Sequence, residues 1–292
     1  MRAIVGVVLA ALLVAMSLHP SRATDAKIAI VAAENFYGDV AKQIGGERVA
    51  VDSVMRNPDQ DPHLFETSPS VVRKIDAAQI VIYNGADYDP WMEKLLKAAP
   101  RAGRTVINVA DLVGKQAGDN PHLWYDPSTM PKLAKALADA LSKVDAAHRA
   151  DYAERLKTFT ASLEPLQRKV AAIASKYAGT SVTASEPVFG YMAAALKLKM
   201  RNERFQLAIM NDTEPSASDV AAFEDDLKSH TVRVMFYNKQ ASDKAVQRLV
   251  DLAHKSKIPV VGVTETVPPG KTYQDWILSQ LDDTEKALAS SQ

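Results

Sequence analysis

Apolar and polar positions along this chain keep two periods, and the alternation between them lays out the architecture. Short apolar runs at 27–32, 48–55, 79–83 and 105–109 read as strands. Each is followed by a stretch in which apolar residues recur every three or four positions, as on one face of a helix. These stretches fall at 36–44, closed by Gly45-Gly46, at 69–78, at 90–97 with proline in the first turn, and at 128–141. The grammar returns after residue 180. Strands are predicted at 181–185, 203–210, 232–237 and 260–263, and helices at 188–196, 216–229, 242–255 and 273–289. Ser216 stands where a helix cap belongs, with Asp219 three residues on. Strands alternating with helices predict parallel βαβ units with right-handed crossovers.

Between the two sets the period settles into a longer stripe. Tyr152, Leu156, Phe159, Leu163, Leu166, Val170, Ile173 and Tyr177 are spaced alternately by four and three. That spacing predicts one long helix, kinked at Pro165 and closed near Gly179. Roughly 30 residues at about 1.5 Å each give on the order of 45 Å, enough to run beside two domains. A coiled-coil dimer is the competing reading, but the stripe lies mid-chain, where two α/β halves need a connector. The expected fold is therefore α/β: two βα-repeat domains with parallel sheets, joined by one long kinked helix, with a ligand cleft between them. The expected boundaries are 24–145, 146–179 and 180–292, each half with its own core.

Residues 1–23 stand outside this pattern. Arg2 precedes an apolar run at 4–18, and Ser21-Arg22-Ala23 has small residues where a signal peptide is cut. The run is short for a membrane span, so an exported protein is expected, periplasmic after cleavage. The chain has no cysteine, which excludes disulfides, thiolate ligands and a lipid-modified cysteine at the cleavage site. Lysine plus arginine number 35 and aspartate plus glutamate 35, and no basic cluster interleaves with aromatics, so a nucleic-acid partner is not expected.

The chemistry sits at strand ends. After the second strand comes NPDQDPHLFETSPS at 57–70, a proline-punctuated loop around His63; after the fourth comes NPHLWYDP at 120–127, around His122. Glu186 ends the first strand of the second half, and Glu265 follows the last. In open parallel sheets, ligands bind beyond the carboxyl ends of the strands, so facing halves would bring these four together. Among the other histidines, His19 lies in the signal segment, His148 opens the long helix, and His230 and His254 sit at helix ends, where the helix dipole alone favours them. Glu66 and Glu214 lie near the ligand loops as candidate supporting groups.

PHLFETSPS, NPHLWYDP, the strand-end Glu186 and the TET around Glu265, split by one long helix, resemble the manganese- and zinc-specific solute-binding proteins of bacterial ABC importers. The resemblance covers essentially the whole chain after the signal segment. It implies capture of one divalent ion by His63, His122, Glu186 and Glu265, and its delivery to a membrane permease. Glutamate at 186 is similar to the manganese-type branch, whereas glutamate at 265 stands where that branch more often carries aspartate. The segment 111–119 is short and lacks the histidines of many zinc-type members.

Two imidazoles and two carboxylates suit a borderline ion, Mn²⁺ or Zn²⁺, with Fe²⁺ in the same donor class. Two other classes share the scaffold's features. A periplasmic metallohydrolase would use the same ligands but needs an open position and a general base. A siderophore or corrinoid binder would want an aromatic or arginine-rich cleft, and Trp91, Trp124 and Trp276 are scattered. The expected protein is a monomeric capture protein without enzymatic activity.

Overall fold

The computed structural model describes residues 26–57, 65, 67–240 and 244–290. His63 and Glu66 lie outside the described residues. In the first half, β1 (Ile28–Glu34), α1 (Asn35–Gly45), β2 (Val49–Met55), α2 (Pro69–Ala77), β3 (Ile80–Tyr83), α3 (Pro90–Ala98) and β4 (Thr105–Asn108) alternate as expected. The short α4 (Val109–Val113) and α5 (Thr129–Val144) follow. All strand pairings are parallel, in the order β2-β1-β3-β4. Strand β1 is buried along nearly its whole length because it lies inside the sheet with helices on both faces.

The second half repeats the plan. It runs through β5 (Ser181–Ala184), α8 (Gly190–Ala195), β6 (Lys199–Arg201), α9 (Glu203–Met210), α10 (Ala217–Lys228), β7 (Met235–Asn238), α11 (Lys244–Lys255), β8 (Val260–Val263) and α12 (Tyr273–Ser290). Its order, β6-β5-β7-β8, is again all parallel. The expected cap at Ser216 is present: its hydroxyl accepts the Asp219 N–H at 3.2 Å.

Two departures have physical causes. Residues 203–210 form α9, not a strand. The alternation of Phe205, Leu207 and Ile209 fits a strand, but Phe205 and Ile209 also stand one helical turn apart and pack together into the core, leaving Leu207 exposed. The edge place in the sheet belongs to the three-residue β6, after which Asn202, at φ +61°, turns the chain into the helix. The connector runs as two helices, α6 (Arg149–Ser162) and α7 (Glu164–Tyr177), separated at Leu163. Pro165 stands in the first turn of α7, where it has no N–H to give the carbonyl of Ala161 and continuation of α6 is blocked. The pair closes at Gly179, which has the expected positive φ of 78°.

The halves do not keep separate cores. One apolar cluster runs from Phe36 on α1 through Trp124 and Tyr125 to Phe189, Phe236 and Trp276. Phe36 stacks on Trp124 with ring centroids 4.5 Å apart, Tyr125 meets Phe189 at 5.4 Å, and Phe189 stacks on Phe236 at 4.5 Å. The reason is that the 122–125 loop and α12 insert between the sheets and give both an apolar surface to bury against. Each half adds a smaller cluster on its outer face, around Val81 and Met92 in the first and around Phe223 and Leu249 in the second.

Candidate metal centre

Each sheet changes the direction of its winding at an inner strand pair, β1/β3 in the first and β5/β7 in the second. Such points open a crevice at the carboxyl ends of the strands. Glu34 ends β1 and Asn84 follows β3; Glu186 follows β5 and Asn238 ends β7. Polar side chains thus meet at both crevices, buried under the loops that join the halves.

His122 reaches this region from the first half. Its ring and the Glu265 carboxylate are fully buried, with Nε2 3.4 Å from Oε2. The tautomer follows from its neighbour. Asn120 Oδ1 accepts the His122 backbone N–H at 3.1 Å and faces ring Nδ1 at 2.7 Å, while Asn120 Nδ2 donates to the Pro187 carbonyl at 2.8 Å. The amide can point only one way, so Nδ1 donates to Asn120 Oδ1 and Nε2 is the ring nitrogen that faces Glu265. The fit is tight: a Cβ on Gly190 would come within 2.9 Å of Asn120 Nδ2, so glycine is needed there.

Glu265 is held from both halves. Tyr88 donates its hydroxyl to Oε2 at 2.9 Å, Asn238 donates Nδ2 to Oε1 at 2.6 Å, and the Glu265 backbone N–H donates to Gln240 Oε1 at 2.6 Å. Burial, then the Glu265 charge, push the Tyr88 hydroxyl well above its ordinary range, so it keeps the proton it donates. Tyr88 is delivered by a sharp turn in which Gly85, Ala86 and Asp87 all have positive φ, at 74°, 50° and 62°. Two of these are not glycine, a strained arrangement of the kind found at functional sites. The Asp89 carboxylate fastens the turn by accepting the N–H groups of Asn84 and Gly85 at 2.7 and 2.8 Å.

Glu186 is 4% exposed, and its Oε2 lies 3.4 Å from the same Asn238 amide. The structure therefore brings His122, Glu265 and Glu186 to one buried place, with Asn238 between the carboxylates. Among the described residues, no three His, Asp or Glu side chains close into a ready cage, and His63 lies outside those residues. Glu214 is exposed, between α9 and α10. Sequence reasoning missed Asn120, Asn238, Gln240 and Tyr88. Only Asn120 carried a local signal, as the residue opening the NPH motif.

Below the site, Glu34 and Asp89 form a second buried acidic pair. Burial, then the Asp89 charge, raise Glu34 well above the carboxylate range. Burial raises Asp89 to about 6, although the two backbone N–H groups favour its ionised form. Both carboxyls are thus held above the ordinary carboxylate range.

The donor set fits a cation. A buried imidazole nitrogen and a buried carboxylate oxygen 3.4 Å apart are donors of the kind a divalent cation would take. The comparisons agree with this class of protein. Residues 30–287 match the sequence profile of the ZnuA family, described as zinc-uptake complex component A, periplasmic. The chain belongs to that family. It is 24% identical over 290 residues to the manganese ABC transporter substrate-binding lipoprotein PsaA of Streptococcus mitis, covering 91% of each chain. It is 23% identical over 273 residues to the high-affinity zinc uptake system protein ZnuA of Bacillus subtilis, covering 86% of this chain and 84% of the other. The fold matches the periplasmic zinc-binding protein TroA of Treponema pallidum with a TM-score of 0.76 at 20% identity, covering 90% of this chain and 99% of that one.

Proposed function

We propose that this protein captures one divalent transition-metal ion, Mn²⁺ or Zn²⁺, and hands it to the membrane permease of an ABC importer. The observation that carries the reading is the fully buried His122–Glu265 pair, its imidazole oriented by Asn120 and its carboxylate held from both halves. His122, Glu186 and Glu265 are the proposed ligands, joined by His63 from the loop after β2. Residues 24–145 and 180–292 act as the two jaws, with 146–179 as the connector.

The surroundings favour holding over catalysis. Asn120, Asn238 and Tyr88 are neutral groups that orient the ligands, and the Tyr88 hydroxyl stays protonated, so none serves as a general base. The protein works as a monomer without enzymatic activity and without a nucleic-acid partner. Residues 1–23 read as an export signal, which supports a periplasmic location. No helix among the described residues is long and apolar enough to cross a membrane. The test is metal analysis of the purified protein followed by equilibrium titration of wild type, His122→Ala and Glu265→Ala. One tight site in wild type, lost in both variants, is the expected result. Unchanged affinity in both variants would refute the assignment.

A further inference from the structure

We propose that the second half carries a further binding site, between α8 and α9, for a small organic cation with an apolar body, an aryl- or alkylammonium. The site shares no proposed ligand with the metal centre, and the inference stands apart from the metal-capture reading.

The site follows from the way residues 203–210 fold. As a helix, α9 leaves a cavity of about 430 Å³ between itself, α8 and the edge strand β6. That volume lies within the range of small-molecule pockets, about 300–1,000 Å³, which are mostly apolar with a few placed polar groups. The walls here are the Tyr191 ring, Leu198, Met200 and Leu207, the last 46% exposed at the rim. The Tyr191 hydroxyl is already engaged, donating to the Asn120 carbonyl at 2.8 Å, so its ring is what it offers a ligand. An aromatic face and a thioether together suit an aromatic or flexible apolar body.

The polar groups of the cavity select the charge of the ligand. Glu203 and Gln206 lie three residues apart on α9 and so share a face. Gln206 is 1% exposed, and its Nε2 donates to the Arg201 carbonyl at 2.7 Å. That bond fixes the amide, and Oε1, which meets no donor among the described residues, is the end left to line the cavity. A buried acceptor without a partner is unfavourable, and a ligand N–H relieves it. The Glu203 carboxylate is exposed at the rim and has no ion-pair partner among the described residues. The neighbouring arginines are committed elsewhere: Arg201 holds Asp226 through bonds of 2.7 and 2.8 Å, and Arg204 lies 3.5 Å from Asp219. Asn120 Nδ2 also reaches this wall, but it donates to the Pro187 carbonyl. The lining thus offers two acceptors, one of them anionic, and no cation. An ammonium group, with three donors and a positive charge, matches it, whereas a carboxylate or phosphate does not.

The experiment uses the full chain with a chelator present, so that no metal ion can hold the probe. Phenethylamine, phenethyl alcohol and phenylacetate are each titrated while the Met200 methyl resonance is followed. The amine is expected to saturate a single site and to bind about tenfold more tightly than the alcohol, the difference made by a charged donor. Phenylacetate should leave the resonance unmoved. Two variants at exposed positions, where folding is not at risk, locate the site. Ala194→Trp fills the cavity from α8 and should abolish binding. Glu203→Gln removes the charge at the rim and should narrow the preference for amine over alcohol roughly threefold. Equal affinity for all three probes, or no saturable binding of the amine, would overturn the proposal. So would amine binding that survives Ala194→Trp, or a preference that Glu203→Gln leaves untouched.

Discussion

Asn35 and Val267 exchange two hydrogen bonds across the halves: Asn35 Nδ2 donates to the Val267 carbonyl at 2.9 Å, and the Val267 N–H donates to Asn35 Oδ1 at 2.9 Å. A side-chain amide here imitates a strand partner, tying the start of α1 to the loop that carries Glu265. Beside it, Asp39 accepts the Tyr273 N–H at 2.8 Å, and Tyr125 donates to Gln280 at 2.6 Å. The two jaws are latched through α12 as well as through the connector.

Asn35→Ala is expected to cost about 1–3 kcal/mol, since it strands two backbone groups of a buried residue. Urea unfolding measures this. Because the latch is only one of several, metal-free and metal-loaded wild type should give nearly the same radius of gyration in solution scattering. A large compaction on loading would mean the halves swing freely.

Replacing the proposed acidic ligands should separate the two ions. Glu265→Ala and Glu186→Ala are expected to weaken both Zn²⁺ and Mn²⁺, each removing one of two anions. Glu186→His should keep or strengthen zinc binding and reduce manganese binding, because zinc accepts a third imidazole readily. If Glu186→Ala leaves both affinities intact, Glu186 is a helix-start carboxylate and no more.

The Glu34–Asp89 pair predicts a stability signature with a definite sign. Both carboxyls titrate above their ordinary values in the folded chain, so folding favours their protonated forms. Their contribution is full below about pH 4 and is lost as pH rises through 6 and beyond. Glu34→Gln keeps the shape and polarity of the side chain without a proton to lose. Relative to wild type, the variant should gain stability as pH rises from 5 to 8. Parallel stability curves for the two proteins across that range would show that Glu34 holds no proton.

Ser216→Ala should cost about 1 kcal/mol by removing the acceptor for the Asp219 N–H, with no effect on metal affinity. Thermal unfolding together with a zinc titration checks both halves of that statement.

Much of the architecture was legible because parallel sheets print strong local patterns. IAIVAAE and IVIY are apolar enough to be inner strands, and Pro90, Ser216 and Gly179 mark helix ends by their own chemistry. Residues 203–210 misled because three alternating apolar positions satisfy either period, and the edge strand that decides the matter is only three residues long. The common core could not be read at all: Phe36 and Trp276 are apolar in any reading, and only the fold makes them neighbours.

At the site, the titratable groups were visible and the groups that orient them were not. His122, Glu186 and Glu265 stand at strand ends where charge or an imidazole is conspicuous. Asn238 and Tyr88 are ordinary by composition, and Tyr88 meets Glu265 across 177 residues. Glu34, the single acid in an otherwise apolar strand, was a legible anomaly, but its partner Asp89 was not.

The latching of α12 against α1 also bears on how the chain comes into being. Gln43 meets Gln274 across 231 positions, and Asp39 meets Tyr273 across 234. A polypeptide synthesised from its amino end therefore leaves that flank of its first half bare until the final helix emerges. Closures of such long range slow folding. Docking of the last helix is therefore the step that completes the burial of the first half.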